Sequence, residues 1–208
     1  RPVVEDGFPP WRAEAPGEVG PTQEALVIPG VHMPRVLLLA EAQSRSSFVG
    51  AALNQHHRVV YIFEPCRALP TAGPANETLC EELLVRIFSC GLTQQDLLLL
   101  FSDRGAVSRS AFLSTIEAQW RRSASLQAAV DQMALACRSS TVVVKEPPLR
   151  SLSPLALESF RDQGVRLLHL VRDPRVVVHA RLQSESLCRR LRLSVAQCSG
   201  LARRTPPP

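Results

Sequence analysis

Four sets of polar residues in this chain stand where an apolar run breaks off, and their types suit the binding of an anion. The first is Gln43-Ser44-Arg45-Ser46-Ser47-Phe48-Val49, a Ser-rich stretch that follows the apolar residues 36–40. The others are Glu64 after Val59–Phe63, Lys145 at the end of residues 141–144, and Arg172 after residues 165–171. A small-residue loop between a strand and a helix presents backbone N–H groups and a positive helix end to phosphate-like groups, and Ser44, Ser46 and Ser47 add hydroxyl donors. Arg172 adds a guanidinium, whose fork of N–H groups matches phosphate or sulfate.

Those groups converge only if the chain places the breaks side by side. Residues 36–40 read as a buried parallel strand, and Phe48, Val49, Ala52 and Leu53 recur at helical spacing up to about His57. Val59–Phe63 is β-branched and aromatic, a second strand, and Pro65 directs Glu64 to an extended conformation. From Asn76 to Arg138 the pattern is helical, with Leu79, Leu83, Leu84 and Ile87 on one face and later Leu126, Val130 and Met133 on another. Gly91 and Gly105 punctuate it. Thr141–Glu146 is a third strand, Ser153-Pro154 opens a helix, residues 165–171 form a fourth strand, and Asp173-Pro174 caps and starts the last helix. The order predicts an α/β fold of three layers, a parallel sheet with helices on both faces. All strand C-terminal ends then share one edge, where open α/β sheets bind ligands.

Composition narrows the classes. Residues 1–34 hold seven of the 17 prolines and read as a stem or linker, residues 35–198 as the domain, and 199–208 as a Pro-terminated tail. The net charge of +5 comes from 24 basic residues of which only Lys145 is a lysine, without a basic block interleaved with aromatics. Nucleic-acid binding is therefore not favoured. The six cysteines form no Cys-x-x-Cys pair, so a zinc ribbon or redox motif is unsupported, and their even count permits disulfides without choosing a pairing. Cys80 and Cys90, if on one helix, lie about 15 Å apart, too far to bridge. His56, His57 and His169 lack partners at metal-ligand spacing and read as structural, so no metal is expected. No apolar run approaches the roughly 20 residues that span a bilayer. The chain starts at Arg1 without a signal peptide, as expected of a piece cut from a longer precursor or of a fragment, and Asn76-Glu77-Thr78 is a glycosylation sequon.

Two segments together resemble a known family. Ser46-Ser47-Phe48-Val49-Gly50, Asn54-Gln55-His56 and Tyr61-Ile62-Phe63-Glu64-Pro65 are similar to the start of the Golgi carbohydrate 6-O-sulfotransferases, which act on N-acetylglucosamine, galactose and N-acetylgalactosamine. Leu168-His169-Leu170-Val171-Arg172-Asp173-Pro174-Arg175 is similar to that family's second cofactor motif, and Lys145-Glu146 and Ser153-Pro154-Leu155 fit in order between them. The resemblance runs from about residue 35 to 182 with a poorly matching middle. It implies a P-loop-like fold that binds 3'-phosphoadenosine 5'-phosphosulfate as co-substrate, with no metal. Residues 43–49 would hold the 5'-phosphosulfate, and Arg172 with the helix after it the 3'-phosphate. Glu64 would be the general base for a sugar 6-hydroxyl, and Lys145 would lie on the binding edge. The acceptor would be a glycan or glycosaminoglycan, in the Golgi lumen, with membrane attachment only through an anchor absent from this chain.

The chain also departs from the family pattern. The family loop Arg-Ser-Gly-Ser-Ser-Phe reads here Gln43-Ser44-Arg45-Ser46-Ser47-Phe48. Gln43 loses a charge-assisted contact, and a side chain at position 45 is costly if the backbone there needs a positive φ. Alternatively the Arg45 guanidinium swings into the anion site. Ala180 stands where the family has a serine that serves the 3'-phosphate, and the family's further C-terminal region has no match. Two functions stay open: transfer of a sulfuryl group to a sugar 6-hydroxyl, or an inactive or fragmentary relative with a binding role only. No GxxxxGK[ST] stretch supports a nucleotide kinase or GTPase.

Overall fold

In the computed structural model, which describes residues 33–41, 43–69, 74–147 and 152–182, the strand runs alternate between two cores. Nearly all of the expected stem 1–34, the end of the expected domain and the tail 199–208 lie outside the described residues. The strands are β1 (Arg35–Ala40), β2 (Val59–Phe63), β3 (Thr141–Glu146) and β4 (Val165–Leu170). They form one parallel sheet in the order β2-β3-β1-β4.

Successive side chains of a strand point to opposite faces. Leu37, Val60, Ile62, Val142 and Val144 therefore share the larger core. It is completed by α2 (Pro74–Phe88), α3 (Gln94–Ser102), α5 (Ala111–Ser123), α6 (Leu126–Ser139) and α7 (Pro154–Asp162) through residues such as Leu84, Leu97, Leu113, Met133 and Phe160. Leu38, Tyr61, Phe63 and Val143 point the other way and meet Val49 and Leu53 of α1 (Ser46–Asn54) and Ala106 of α4 (Arg104–Val107). The last helix is α8 (Pro174–Leu182). The three-layer α/β expectation holds.

Several local expectations change. On α1, Phe48 and Ala52 face solvent, and it is Val49 and Leu53 that reach the core. On α2, Leu83, Leu84 and Ile87 are buried but Leu79 is exposed, because the buried stripe starts at Cys80 and runs on at helical spacing through Leu83, Leu84 and Ile87, which leaves Leu79 at its margin. Strand β4 is a sheet edge, and Leu168 is 51 % exposed. Glu64 is not extended. Proline disfavours the right-handed helical region for its predecessor, yet Glu64 meets this with a left-handed backbone, φ 44° and ψ 55°. Its N–H still donates to the Lys145 carbonyl at 2.7 Å, while its own carbonyl accepts from Arg67 N at 3.0 Å. The chain must turn off the sheet at once, into a 3-10 turn (Pro65–Ala68).

Two disulfides fasten these layers. Cys66–Cys80 joins that turn to α2, and Cys90–Cys137 joins the end of α2 to α6 across 47 residues. Cys80 and Cys90 are not partners, as their helical separation required. Replacing Cys90 and Cys137 by alanine should lower the unfolding free energy by about 2–5 kcal/mol. Guanidinium unfolding of the oxidised chain and the variant measures this, and equal midpoints would remove the disulfide from the stabilising contacts.

Candidate functional site

The loop after β1 leaves the strand through two left-handed residues, Gln43 at φ 69° and Arg45 at φ 64°. Ser44 N donates to Glu41 O at 3.1 Å, and Phe48 N to Arg45 O at 3.0 Å, which opens α1. A non-glycine residue in this region costs about 1–2 kcal/mol, so position 45 is one where glycine is preferred and Arg45 is strained. Burial separates the three serines: Ser44 and Ser46 are buried and Ser47 is exposed. Phe48 is 70 % exposed and Val49 half-buried. Ser44 Oγ has no hydrogen-bond partner among the described residues. A buried hydroxyl left so costs about 1–3 kcal/mol, and an anion held at the loop would accept its hydrogen bond. Gly50 explains how α1 lies so close to β2, because a Cβ there would sit 2.1 Å from Tyr61 Oη.

Arg172, just past the neighbouring strand β4, donates from Nη1 to the Gln43 carbonyl at 3.0 Å. Segments 129 residues apart in the chain thus meet at one pair of strand ends. Asp173 caps α8 as expected, accepting from Arg175 N at 2.9 Å. Arg175 is exposed and pairs with the Asp173 carboxylate at 2.6 Å, which holds the carboxylate's pKa down to about 2. Ala180 lies on α8, half-buried.

The other half of the edge is built on charge pairs. Glu64 Oε1 forms an ion pair with Lys145 Nζ, and the lysine, expected on the binding edge, is buried there and sits 4.8 Å from the Phe63 ring centroid. Arg67 approaches Glu64 Oε2 at 3.7 Å and grips Asp103 with two bonds of 2.7 and 2.9 Å. Arg67 holds the Asp103 pKa down to about 2, and the same carboxylate caps α4 by accepting from Ala106 N at 3.1 Å. Glu146, beside Lys145, is buried and accepts from Cys66 N at 2.8 Å. Burial pushes its pKa up to about 8, with the Glu64 carboxylate adding to the rise, so at neutral pH it is largely uncharged.

The sheet order joins the two halves, because β3 and β1 are neighbours. The edge therefore offers an anion-suited loop, an arginine and a carboxylate held between two cations. His56 and His57 stack on each other after α1 with His56 Nδ1 accepting from Arg58 N, while His169 is exposed on β4. Among the described residues no cluster of His, Cys, Asp or Glu is arranged to hold a metal. Sequence reasoning missed Arg67, Asp103 and the role of Glu146. Only Glu146 carried a signal, its place at a strand end.

Comparison with known proteins gives relatives of one kind. The chain is 34 % identical to carbohydrate sulfotransferase 6 of Homo sapiens over 172 residues, covering 72 % of this chain and 44 % of the relative. It is 32 % identical to carbohydrate sulfotransferase 5 of Mus musculus over 172 residues, with the same coverages, 72 % and 44 %. It is 30 % identical to carbohydrate sulfotransferase 3 of Homo sapiens over 190 residues, covering 74 % of this chain and 39 % of the relative. The chain thus spans less than half the length of these relatives. No family model matches, and no solved structure matches.

Two measurements check the site. Arg45→Gly should raise the unfolding free energy by about 1 kcal/mol, because glycine adopts the left-handed backbone without the side-chain clash. A fall would show that the Arg45 guanidinium supplies more than its backbone costs. Glu146, with its pKa raised from 4.5 to about 8, makes stability fall as pH rises between those values, because only the folded state keeps the proton there. The slope from this group is at most about 1.4 kcal/mol per pH unit. Glu146→Gln should flatten that limb in chemical unfolding at pH 5.5 to 8, and an unchanged slope would assign it to another group.

Proposed function

The chain belongs to the carbohydrate sulfotransferase family, and from that premise we propose that it binds 3'-phosphoadenosine 5'-phosphosulfate and sulfates the 6-hydroxyl of a glycan sugar. The bond from Arg172 to the Gln43 carbonyl carries this reading. It joins at one strand-end pair the two segments that would hold opposite ends of the nucleotide. The donor supplies the sulfuryl group, which moves by positioning and charge stabilisation rather than by elaborate covalent chemistry.

Each residue then has a task. The N–H groups at the start of α1, with Ser44, Ser46 and Ser47, donate to the 5'-phosphosulfate. The orphaned, buried Ser44 hydroxyl fits such an anion. Arg172 and the start of α8 face the 3'-phosphate. Glu64 accepts the proton of the acceptor hydroxyl, and its pairing with Lys145 orients it. Phe48, Val49 and Ala180 complete the nucleotide surface. A luminal Golgi setting is supported by the two disulfides, which persist in oxidising compartments. Among the described residues no helix is long and apolar enough to cross a membrane.

A second reading, a relative with a binding role only, is favoured by the strained Arg45, the uncharged Gln43 and the missing hydroxyl at Ala180. Calorimetry with 3'-phosphoadenosine 5'-phosphate separates the two. Binding that Arg172→Ala weakens at least tenfold, about 1.4 kcal/mol, together with sulfate transfer that Glu64→Gln abolishes, is the expected outcome. A folded chain that binds no nucleotide at millimolar concentration would establish the second reading.

A further inference from the structure

Beside Glu64, one buried aromatic ring collects three cations. Lys145 Nζ lies 4.8 Å from the Phe63 ring centroid, the Arg109 guanidinium 4.8 Å and the Arg67 guanidinium 5.9 Å. Lys145 is matched by Glu64, and Arg67 by Asp103. Arg109 has no carboxylate partner among the described residues; its Nη1 donates only to the Gly105 carbonyl, at 3.2 Å. Glu146 does not offset it, being largely uncharged at neutral pH. The cluster therefore keeps one positive charge in excess at an exposed position.

That charge is deliberately held. Asn54, at the end of α1, donates from Nδ2 to the Arg109 carbonyl at 3.3 Å and accepts from Ala111 N at 3.0 Å, which clamps the backbone on both sides. Gly105 leaves space for the Arg67 guanidinium, for a Cβ there would meet Arg67 Nη2 at 2.7 Å, while Arg109 Nη1, at 3.6 Å, lies in ordinary contact range of the same position. Arg109 thus has an aromatic seat for its guanidinium and a clamp on its backbone, and both hold it beside Arg67. Guanidinium pairs of this kind bind carboxylate and sulfate oxygens through parallel N–H groups.

We propose that Arg109, with Arg67 beside it, forms an anion subsite next to Glu64 that holds a carboxylate or sulfate on the saccharide unit adjoining the acceptor sugar. This rests on the sulfotransferase reading for the identity of Glu64 as the proton acceptor. It narrows the acceptor to an anionic oligosaccharide, because a neutral one leaves the excess charge unmatched. Neither arginine lies in a segment that carried the family resemblance.

The test titrates the folded chain with three tetrasaccharides: neutral N-acetylglucosamine units, glucuronate alternating with N-acetylglucosamine, and a chain bearing sulfate esters in place of carboxylates. At low salt at least one anionic tetrasaccharide should bind tenfold or more tightly than the neutral one, and the carboxylate and sulfate arms show which anion is preferred. The preference should shrink as salt screens the charges, vanish in Arg109→Gln and survive in part in Arg109→Lys. Equal binding of all three sugars, or a preference that persists in Arg109→Gln, overturns the proposal. So does weaker 3'-phosphoadenosine 5'-phosphate binding in Arg109→Gln, which would give the charge to the nucleotide. Nucleotide binding without sugar discrimination removes the subsite alone. Arg109-dependent sugar discrimination without nucleotide binding removes the sulfotransferase reading and keeps the subsite. Circular dichroism verifies the fold of each variant.

Discussion

Strand β1 is hydrogen-bonded on both sides, to β3 and to β4, and every convergence at the strand ends depends on that pairing. Because the strands are parallel, their C-terminal ends lie on one edge. Because β1 is central, the loop that follows it has Lys145 on one side and Arg172 on the other. Leu37 and Leu38, both fully buried and pointing to opposite faces, anchor it in two cores at once. A polar side chain at either position would weaken one core and displace the loop with it.

The edge is also where the backbone is strained. Gln43, Arg45 and Glu64 all adopt positive φ without being glycine. Such conformations persist where surrounding contacts fix them, and they gather at functional sites. At Glu64 the compensation is visible: the ladder bond to Lys145, the ion pair and the neighbouring disulfide hold the turn. At Arg45 the side chain is exposed and lends no comparable support. The departure from the family's glycine is thus a real cost in this fold, and not merely a difference in spelling.

Charge arrangement completes the picture. Glu64 is held between Lys145 and Arg67, Arg67 is shared with Asp103, and Asp103 in turn caps α4. The position of the carboxylate thus depends on elements from β2, β3 and the α3–α4 junction together. Such a network orients a side chain more firmly than any one pair, since each member is fixed by a partner that is fixed itself.

What the sequence determined by itself was the local order. Apolar runs bounded by Pro and Ser placed four strands, Asp173-Pro174 and Ser153-Pro154 placed two helix starts, and the Arg45 substitution was legible as a problem if φ were positive. These are short-range matters, decided by side-chain shape and by hydrogen bonds within a few residues. Tertiary structure alone decided which face of α1 is buried, that β4 is an edge, which cysteines pair, and that Arg67, Asp103 and Arg109 gather around Phe63 and Glu64. Those outcomes depend on contacts between residues tens of positions apart, and no local pattern encodes which distant partner a charge or a sulfur will meet.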